Sequence, residues 1–179
     1  MAIEIRLLQS SDSLAELTAV LHSAYAQLQR LGFNYTAVDQ SEQTTRERIE
    51  GGECYVALAA GRIVGTILFH RHPRGCAWYE QPHVAAVHQF GVTPGAQRGG
   101  IGSKLMQLCE ARAAETGATE IALDTAEGAA HLVSWYERLG YRPVAIEQWE
   151  GKTYRSLILS KHLQRPEMAS KASGAPAGP

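Results

Sequence analysis

The sequence predicts an α/β (α+β) fold in which helices flank a mixed sheet of about seven strands. Two observations predict it. In the second half of the chain, strand-like and helix-like segments alternate, whereas strand pairs joined by short turns occupy the middle and the end. Because a helical crossover joins parallel strands and a short turn joins antiparallel ones, a chain with both builds a mixed sheet with helices on both faces.

The first third of the chain predicts one strand and two helices. Residues 3–7 alternate between apolar and polar, as on a half-buried strand. Apolar residues recur at helical spacing over 14–28, behind serines that offer N-caps, and Gly32 ends this helix. After a loop, residues 41–50 form a second helix with a polar composition.

The middle third of the chain predicts three strands followed by a long helix. Residues 54–59 and 63–70 are apolar runs around a short turn that contains glycine, which is typical of a hairpin. Residues 71–82 are irregular. Residues 84–92, rich in valine and alanine, have the composition of a central strand, and a helix follows over 100–115.

The last third predicts one more crossover and a final strand pair. Residues 120–124 form a short buried strand, and residues 129–139 form a helix that Gly140 ends. Two strands follow at 142–149 and 153–160, joined by a turn.

The domain is expected to span residues 1–162, followed by a disordered tail over 163–179, where proline, alanine, serine and glycine dominate. A length of 179 residues suits one domain with its own core. No internal repeat or second domain is evident.

Composition excludes several classes of function. The formal net charge is −1, which argues against nucleic-acid binding through phosphate neutralisation. Basic runs are too short for a membrane-surface patch, and no apolar stretch approaches the length that spans a bilayer. The three cysteines are odd in number and lack metal-ligand spacing, so we expect reduced thiols, no metal and a cytoplasmic protein.

The segment QFGVTPGAQRGGIG, residues 89–102, runs from a strand through a break into glycines at the start of a helix. A helix N-terminus carries partial positive charge and amides without partners, so it favours a phosphate. Glycines leave those amides uncovered, and Arg98 adds a charge. The spacing fits neither a P-loop nor a dinucleotide fingerprint. The alternative is that the glycines serve only a tightly packed turn.

Two motifs resemble one known family. The pattern Q-x-x-G-x-G at 97–102, after F-G-V at 90–92, resembles the acetyl-CoA signature of the GNAT superfamily of N-acetyltransferases. WYERLGYRPV at 135–144 resembles that family's helix-then-strand segment. The resemblance covers about residues 1–162 and implies a mostly antiparallel sheet that splays between its fourth and fifth strands.

The resemblance implies acetyl-CoA as the acyl donor. Main-chain amides at the helix start would bind its pyrophosphate, and the preceding strand would pair with the pantetheine arm. The Phe90 amide would hydrogen-bond the thioester carbonyl and stabilise its developing charge. The implied cofactor-binding residues are Phe90, Gly91, Val92, Gln97, Arg98, Gly99, Gly100, Ile101, Gly102 and Ser103.

The implied reaction is direct attack of a primary amine on the thioester, which requires a neutral amine and a proton for the departing thiolate. Tyr136 matches the family tyrosine that donates this proton; alternatively, it only packs against pantetheine. Some members carry a glutamate where this chain has Ala86. His88 is therefore the candidate base, and the alternatives are a structural histidine or a mechanism without a dedicated base.

Acceptor selection in the family comes from the first two helices, the loop between them and the last hairpin. Aromatic side chains there stack on an acceptor or its cation, or else only pack the core and rim. The candidate acceptor-binding residues are Tyr25, Phe33, Tyr35, Trp149 and Tyr154.

The acceptor itself stays open between small-molecule and peptide amines, since the near-neutral charge indicates no preference. The basic cluster at residues 70–74 is either a solvated loop or a site for the CoA 3′-phosphate or an acidic acceptor. Two other functions remain: a CoA-binding sensor without catalysis, and transfer of a longer acyl group. A homodimer through the exposed edge of the last strands is also possible on this sequence.

Overall fold

The computed structural model describes residues 2–164. Nearly all of the expected disordered tail, residues 163–179, lies outside this range. The described chain forms one seven-stranded sheet in the order β1-β2-β3-β4-β5-β7-β6. The strands are β1 (Ile3–Leu7), β2 (Glu53–Ala59), β3 (Arg62–His70), β4 (Val84–Val92), β5 (Glu120–Ala126), β6 (Arg142–Glu147) and β7 (Ser156–His162). The helices are α1 (Leu14–Arg30), α2 (Glu42–Ile49), α3 (Ile101–Glu115) and α4 (Ala130–Arg138).

The predicted mixed sheet is confirmed. Only β4 and β5 pair in parallel, and the other neighbouring strands are antiparallel. Alternate residues of β2 face opposite sides: Tyr55 and Ala57 pack in the cluster that includes α3, whereas Val56 and Leu58 pack with Leu17 of α1. Both faces of the central strands are therefore buried, which explains their continuous apolar composition.

Residues 71–82 are irregular, as predicted, but they are packed into the core. Tyr79 is 1% exposed and contacts a cluster formed by Cys76, Val84, Ala86 and Ala122. This segment packs on residues of β4, β5 and β7, and it brings Tyr79 close to the site described below.

The implied splay between the fourth and fifth strands is present. β4 and β5 pair only between residues 84–86 and 120–122. Further along, Gln89 has a φ of 48°, and the register between β3 and β4 shifts. An extra residue in one strand bends it and disrupts its ladder. The second half of β4 therefore has no strand partner on its β5 side, and a gap opens there.

Several strand boundaries in the last third differ from the sequence prediction. β5 runs to Ala126, two residues beyond the expected end at Asp124. The last two strands are joined by a longer loop, residues 148–155, which is hydrogen-bonded within itself and to the segment that follows α1. Asn34 donates from Nδ2 to the Gly151 carbonyl at 2.8 Å, and its Oδ1 accepts from the Thr153 amide at 2.8 Å.

Within residues 2–164, no helix combines the length and the apolar character needed to cross a membrane.

Candidate active site

Two cavities meet at the gap between β4 and β5. The larger cavity, of about 500 Å³, lies beside the start of α3. The smaller cavity, of about 250 Å³, lies among α2, residues 71–82 and the last hairpin loop. Five side chains line both: Tyr25, Tyr35, Phe90, Asp124 and Tyr136. A ligand in one cavity can therefore reach a ligand in the other at this junction.

The start of α3 presents main-chain amides to the larger cavity. Gly100 has a φ of 77° and caps the helix in the left-handed conformation, which favours glycine. The first backbone hydrogen bond into the helix is donated by Lys104 to the Gly100 carbonyl, at 3.0 Å. The amides of residues 98–103 have no hydrogen-bond acceptor within residues 2–164. This is the arrangement that binds an anion at a helix N-terminus.

Gly102 has a different reason to be glycine. A Cβ atom there would lie 3.3 Å from Cζ of Phe90 and 3.8 Å from the Trp135 ring. The Phe90 and Trp135 rings themselves stack, with centroids 5.8 Å apart. Tight packing therefore explains Gly102, as the alternative reading of the glycines supposes, whereas backbone conformation explains Gly100.

Most expected cofactor-binding residues border the larger cavity, but two do not. Gly99 lies outside its lining, and the Ile101 side chain is 4% exposed within the core, so only its amide is available to a ligand. The Gln97 side chain folds back and donates from Nε2 to the Val92 carbonyl at 3.0 Å. The expected residues that do line the larger cavity are Phe90, Gly91, Val92, Gln97, Arg98, Gly100, Gly102 and Ser103.

Tyr136 lies at the junction of the cavities. It is 7% exposed, and its hydroxyl makes no hydrogen bond to any other described residue. Burial, followed by the neighbouring Tyr25, Tyr35 and Asp124, raises the pKa of Tyr136 well above its usual value. The phenol is therefore protonated at neutral pH and free to donate to a ligand.

His88 lines the smaller cavity and is half-buried. Its ring centroid lies 5.5 Å from those of His70 and Tyr79. Burial lowers the pKa of His88 to about 4; Asp124 opposes this shift, whereas His70 and Arg48 add to it. His88 is therefore neutral at pH 7 and has an unprotonated nitrogen available to accept a proton.

Asp124 is a functional candidate that sequence reasoning missed. It lines both cavities, and it is the only carboxylate among the described residues that line either. Oδ1 accepts from the Tyr79 hydroxyl at 3.0 Å, and Oδ2 accepts from Trp149 Nε1 at 3.2 Å and Ser156 Oγ at 3.0 Å. The one available signal was a carboxylate that follows the apolar residues 121–123 of a short strand.

The candidate acceptor-binding aromatics divide into two groups. Tyr25, Tyr35, Trp149 and Tyr154 all line the smaller cavity. Phe33 lines neither cavity: it packs edge-on against Tyr35 and Tyr154, and it lies close to Gly128. Its role here is to support the two tyrosines from behind.

The smaller cavity also has a local charge that the near-neutral chain conceals. Arg48, Arg74 and Lys152 line it, and within residues 2–164 none of the three forms an ion pair. The expectation of no electrostatic preference was drawn from the net charge and overlooked this clustering. Of the basic cluster at 70–74, only Arg74 reaches the cavity lining.

Other reactive groups do not converge. The three cysteines are buried free thiols, and burial raises the pKa of Cys54, Cys76 and Cys109. Across residues 2–164, no three His, Cys, Asp or Glu side chains are grouped so as to hold a metal ion.

Comparisons with known proteins agree with this geometry. The model of the acetyltransferase (GNAT) family matches residues 19–141. S-(2-succino)cysteine N-acetyltransferase of Bacillus subtilis (strain 168) is 31% identical over 165 residues, which cover 87% of this chain and 92% of that protein.

Two solved structures share the fold. A Bacillus subtilis acetyltransferase in complex with CoA has a TM-score of 0.66 and 22% identity, over 91% of this chain and 100% of that one. A GNAT family acetyltransferase from Elizabethkingia anophelis with acetyl-CoA bound has a TM-score of 0.66 and 17% identity, over 90% and 98%.

Proposed function

The chain belongs to the acetyltransferase (GNAT) family, and from this premise we propose that it transfers the acetyl group of acetyl-CoA to the primary amine of a small molecule. The observation that carries the proposal is the junction of the two cavities. One cavity offers amides without acceptors at the start of α3, the other offers charged and aromatic groups, and Tyr136 borders both.

The larger cavity suits the acyl donor. The amides of residues 98–103 are available to the pyrophosphate oxygens, and the exposed Arg98 guanidinium adds a charge-assisted contact. The side of β4 that has no strand partner offers backbone groups to the amides of the pantetheine arm. Without this pairing, the backbone groups of β4 and the amides of pantetheine would both lack hydrogen-bond partners. The Val92 carbonyl already accepts from Gln97, so a pantetheine amide shares this acceptor.

Phe90 and Tyr136 carry the chemistry at the junction. The Phe90 amide donates to the thioester oxygen as negative charge develops there. The Tyr136 phenol, kept protonated by burial, donates its proton to the departing thiolate. The new amide bond forms as the carbon–sulfur bond breaks, and CoA leaves as the thiol.

Asp124 and His88 act on the amine. The Asp124 carboxylate, fixed by three neutral donors, orients the incoming amine by accepting a hydrogen bond from it. His88 accepts the proton that the amine loses. Because Arg48 contributes to the low pKa of His88, an anionic acceptor beside Arg48 would raise the affinity of His88 for this proton.

A small-molecule acceptor is favoured over a peptide. The volume of the smaller cavity, about 250 Å³, lies just below the range of roughly 300–1,000 Å³ that is typical of small-molecule sites. The relative that is 31% identical is named for acetylating S-(2-succino)cysteine, an amino acid.

The test is release of free CoA thiol from acetyl-CoA across a panel of amino acids, polyamines, amino sugars and peptides, with acetyl-CoA binding measured by calorimetry. We expect saturable acetyl-CoA binding and thiol release that depends on one class of small amine. Binding without turnover on any amine would instead indicate the CoA-binding sensor. Absence of acetyl-CoA binding would overturn the proposal.

A further inference from the structure

A chain of buried amides runs from α2 to β4 beneath the smaller cavity. Arg48 Nη1 donates to Gln40 Oε1 at 3.1 Å, and Gln40 Nε2 donates to Gln89 Oε1 at 3.1 Å. Gln40 Nε2 also donates to Thr45 Oγ1 at 2.7 Å. Gln40 and Gln89 are 5% and 4% exposed, so neither exchanges these partners freely with water.

The direction of this chain follows from its cationic end. A guanidinium has donors only, so it fixes the oxygen of Gln40 toward Arg48 and the Gln40 amino group toward Gln89. Gln89 must then present its own oxygen to Gln40. Its Nε2 is left buried, without a hydrogen-bond partner in residues 2–164. Gln89 lines the smaller cavity, so the chain ends in a buried, unpaired donor on a residue of the cavity wall.

Arg48 itself is a cation without a counter-charge. It is half-buried and forms no ion pair with any residue between 2 and 164. Its only side-chain hydrogen bond there uses one of its five N–H donors. Burial lowers the pKa of Arg48. A charge held away from water without a partner is costly, unless a ligand neutralises it.

Lys152 adds a second cation to the same cavity, from the loop between the last two strands. Its Nζ donates to the Asn34 carbonyl and to Thr36 Oγ1, both at 2.9 Å, so its position is fixed by neutral groups. Arg74 adds a third cation at the exposed side of the cavity. Against these three stands one carboxylate, Asp124.

We propose that Arg48, Gln89 and Lys152 form an anion subsite that binds carboxylates of the acceptor, and that the acceptor is an amino acid with carboxylates beyond its α-carboxylate. This deepens the proposed function and rests on it. Three cationic side chains and one carboxylate complement a ligand with several carboxylates and one ammonium. In this arrangement the acceptor amine lies toward Asp124 and the junction with the larger cavity.

A graded series of cysteine derivatives tests the subsite. S-(2-succino)cysteine, S-carboxymethylcysteine and S-methylcysteine carry three, two and one carboxylates on the same α-amino scaffold. With acetyl-CoA saturating, we expect kcat/KM for acetylation to fall by about tenfold or more for each carboxylate removed, because each loss leaves a cation unpaired.

Variants assign the effect to named residues. Arg48→Met should raise KM for S-(2-succino)cysteine by about thirtyfold, and the rise in KM for S-methylcysteine should be at least about tenfold smaller. Gln89→Glu is isosteric, keeps an oxygen for Gln40 and replaces the free donor with a carboxylate oxygen, so it should act in the same direction. Arg46→Met, an exposed arginine on the same helix that lines neither cavity, is the matched control and should behave as wild type.

The outcomes separate this proposal from the proposed function. Turnover of S-methylcysteine as fast as S-(2-succino)cysteine, or equal losses in Arg48→Met for both, overturns the subsite and leaves the acetyltransferase intact. If no acceptor is turned over, calorimetric titration of S-(2-succino)cysteine into the protein with CoA present tests the subsite by binding alone. Binding that Arg48→Met and Gln89→Glu abolish supports the subsite alone, and absence of binding to the wild type overturns it.

Discussion

The hydroxyl of Tyr79 donates a hydrogen bond to Oδ1 of Asp124 at 3.0 Å, and this bond positions a carboxylate at the junction of the two cavities. Tyr79 comes from the irregular residues 71–82, and Asp124 comes from the part of β5 that has separated from β4. The contact therefore uses a packed loop to orient a charged group in the gap that the splay creates.

Replacement of this carboxylate should impair catalysis. Asp124→Asn removes the negative charge and places the amide NH2 group beside side chains that donate hydrogen bonds to the carboxylate. We therefore expect kcat/KM for the acceptor to fall roughly 100-fold or more. Thiol-release kinetics at saturating acetyl-CoA measure this. Tyr79→Phe keeps the carboxylate and should cost less activity, with a loss of about 1–2 kcal/mol in the free energy of unfolding. Equal activity losses in both variants would argue that Asp124 is only structural.

The Tyr136→Phe variant distinguishes a role of Tyr136 as proton donor from a role in packing alone. Loss of the hydroxyl removes the proton donor to the thiolate and keeps the ring, so kcat should fall by about 10²-fold or more while the acetyl-CoA Kd changes little. Tyr141→Phe is the matched control, because that hydroxyl donates to Glu110 at 3.1 Å and lines neither cavity. A Tyr136→Phe variant that loses acetyl-CoA affinity and kcat in equal measure would contradict the acid role.

The pKa of His88, lowered to about 4 mainly by burial, predicts a pH dependence of stability. Between pH 4 and the unfolded value near 6.5, the unfolded chain binds more protons at this site, so the free energy of unfolding falls as pH drops through this window. His88→Gln should remove this slope. Urea unfolding at pH 7.5 and 4.5 should show a loss that is roughly 2–3 kcal/mol larger in wild type than in the variant. Identical losses in the two proteins would refute the lowered pKa of His88.

Much of the fold is predictable from local patterns. The predicted strand 84–92 coincides with β4, because burial on both faces requires a continuous apolar run that any reader of the sequence can see. The last hairpin is predicted less well. Its strands are shorter than expected because Asn34, more than a hundred positions away, binds the Gly151 carbonyl. Such a contact leaves no local pattern.

The site is predictable only in part, for the same reason. The glycine motif and Tyr136 stand in recognisable segments, and both border the larger cavity. Arg48 reads as one charge on a polar helix, and Lys152 as a turn residue. Only the packing of α2 and the last hairpin loop brings them to the same cavity as Asp124. The left-handed Gln89, whose bulge shapes the junction, carries no compositional signal either.

The central claim is that the amides at the start of α3 bind the pyrophosphate of acetyl-CoA. Gly100 allows a matched pair of variants, because its φ is 77° and a Cβ there meets no atom within 4 Å. Asparagine and aspartate have the same shape, and both tolerate this backbone conformation better than other side chains. They differ at neutral pH in one negative charge, placed beside the proposed pyrophosphate.

The most direct test is calorimetric titration of acetyl-CoA into wild type, Gly100→Asn and Gly100→Asp at low ionic strength, with thermal unfolding as a check on folding. We predict one-site binding to wild type, a modest loss in Gly100→Asn and a Kd at least about tenfold weaker in Gly100→Asp than in Gly100→Asn, since the carboxylate repels the pyrophosphate. Equal Kd values for the two variants, or no binding to the wild type, would contradict the claim.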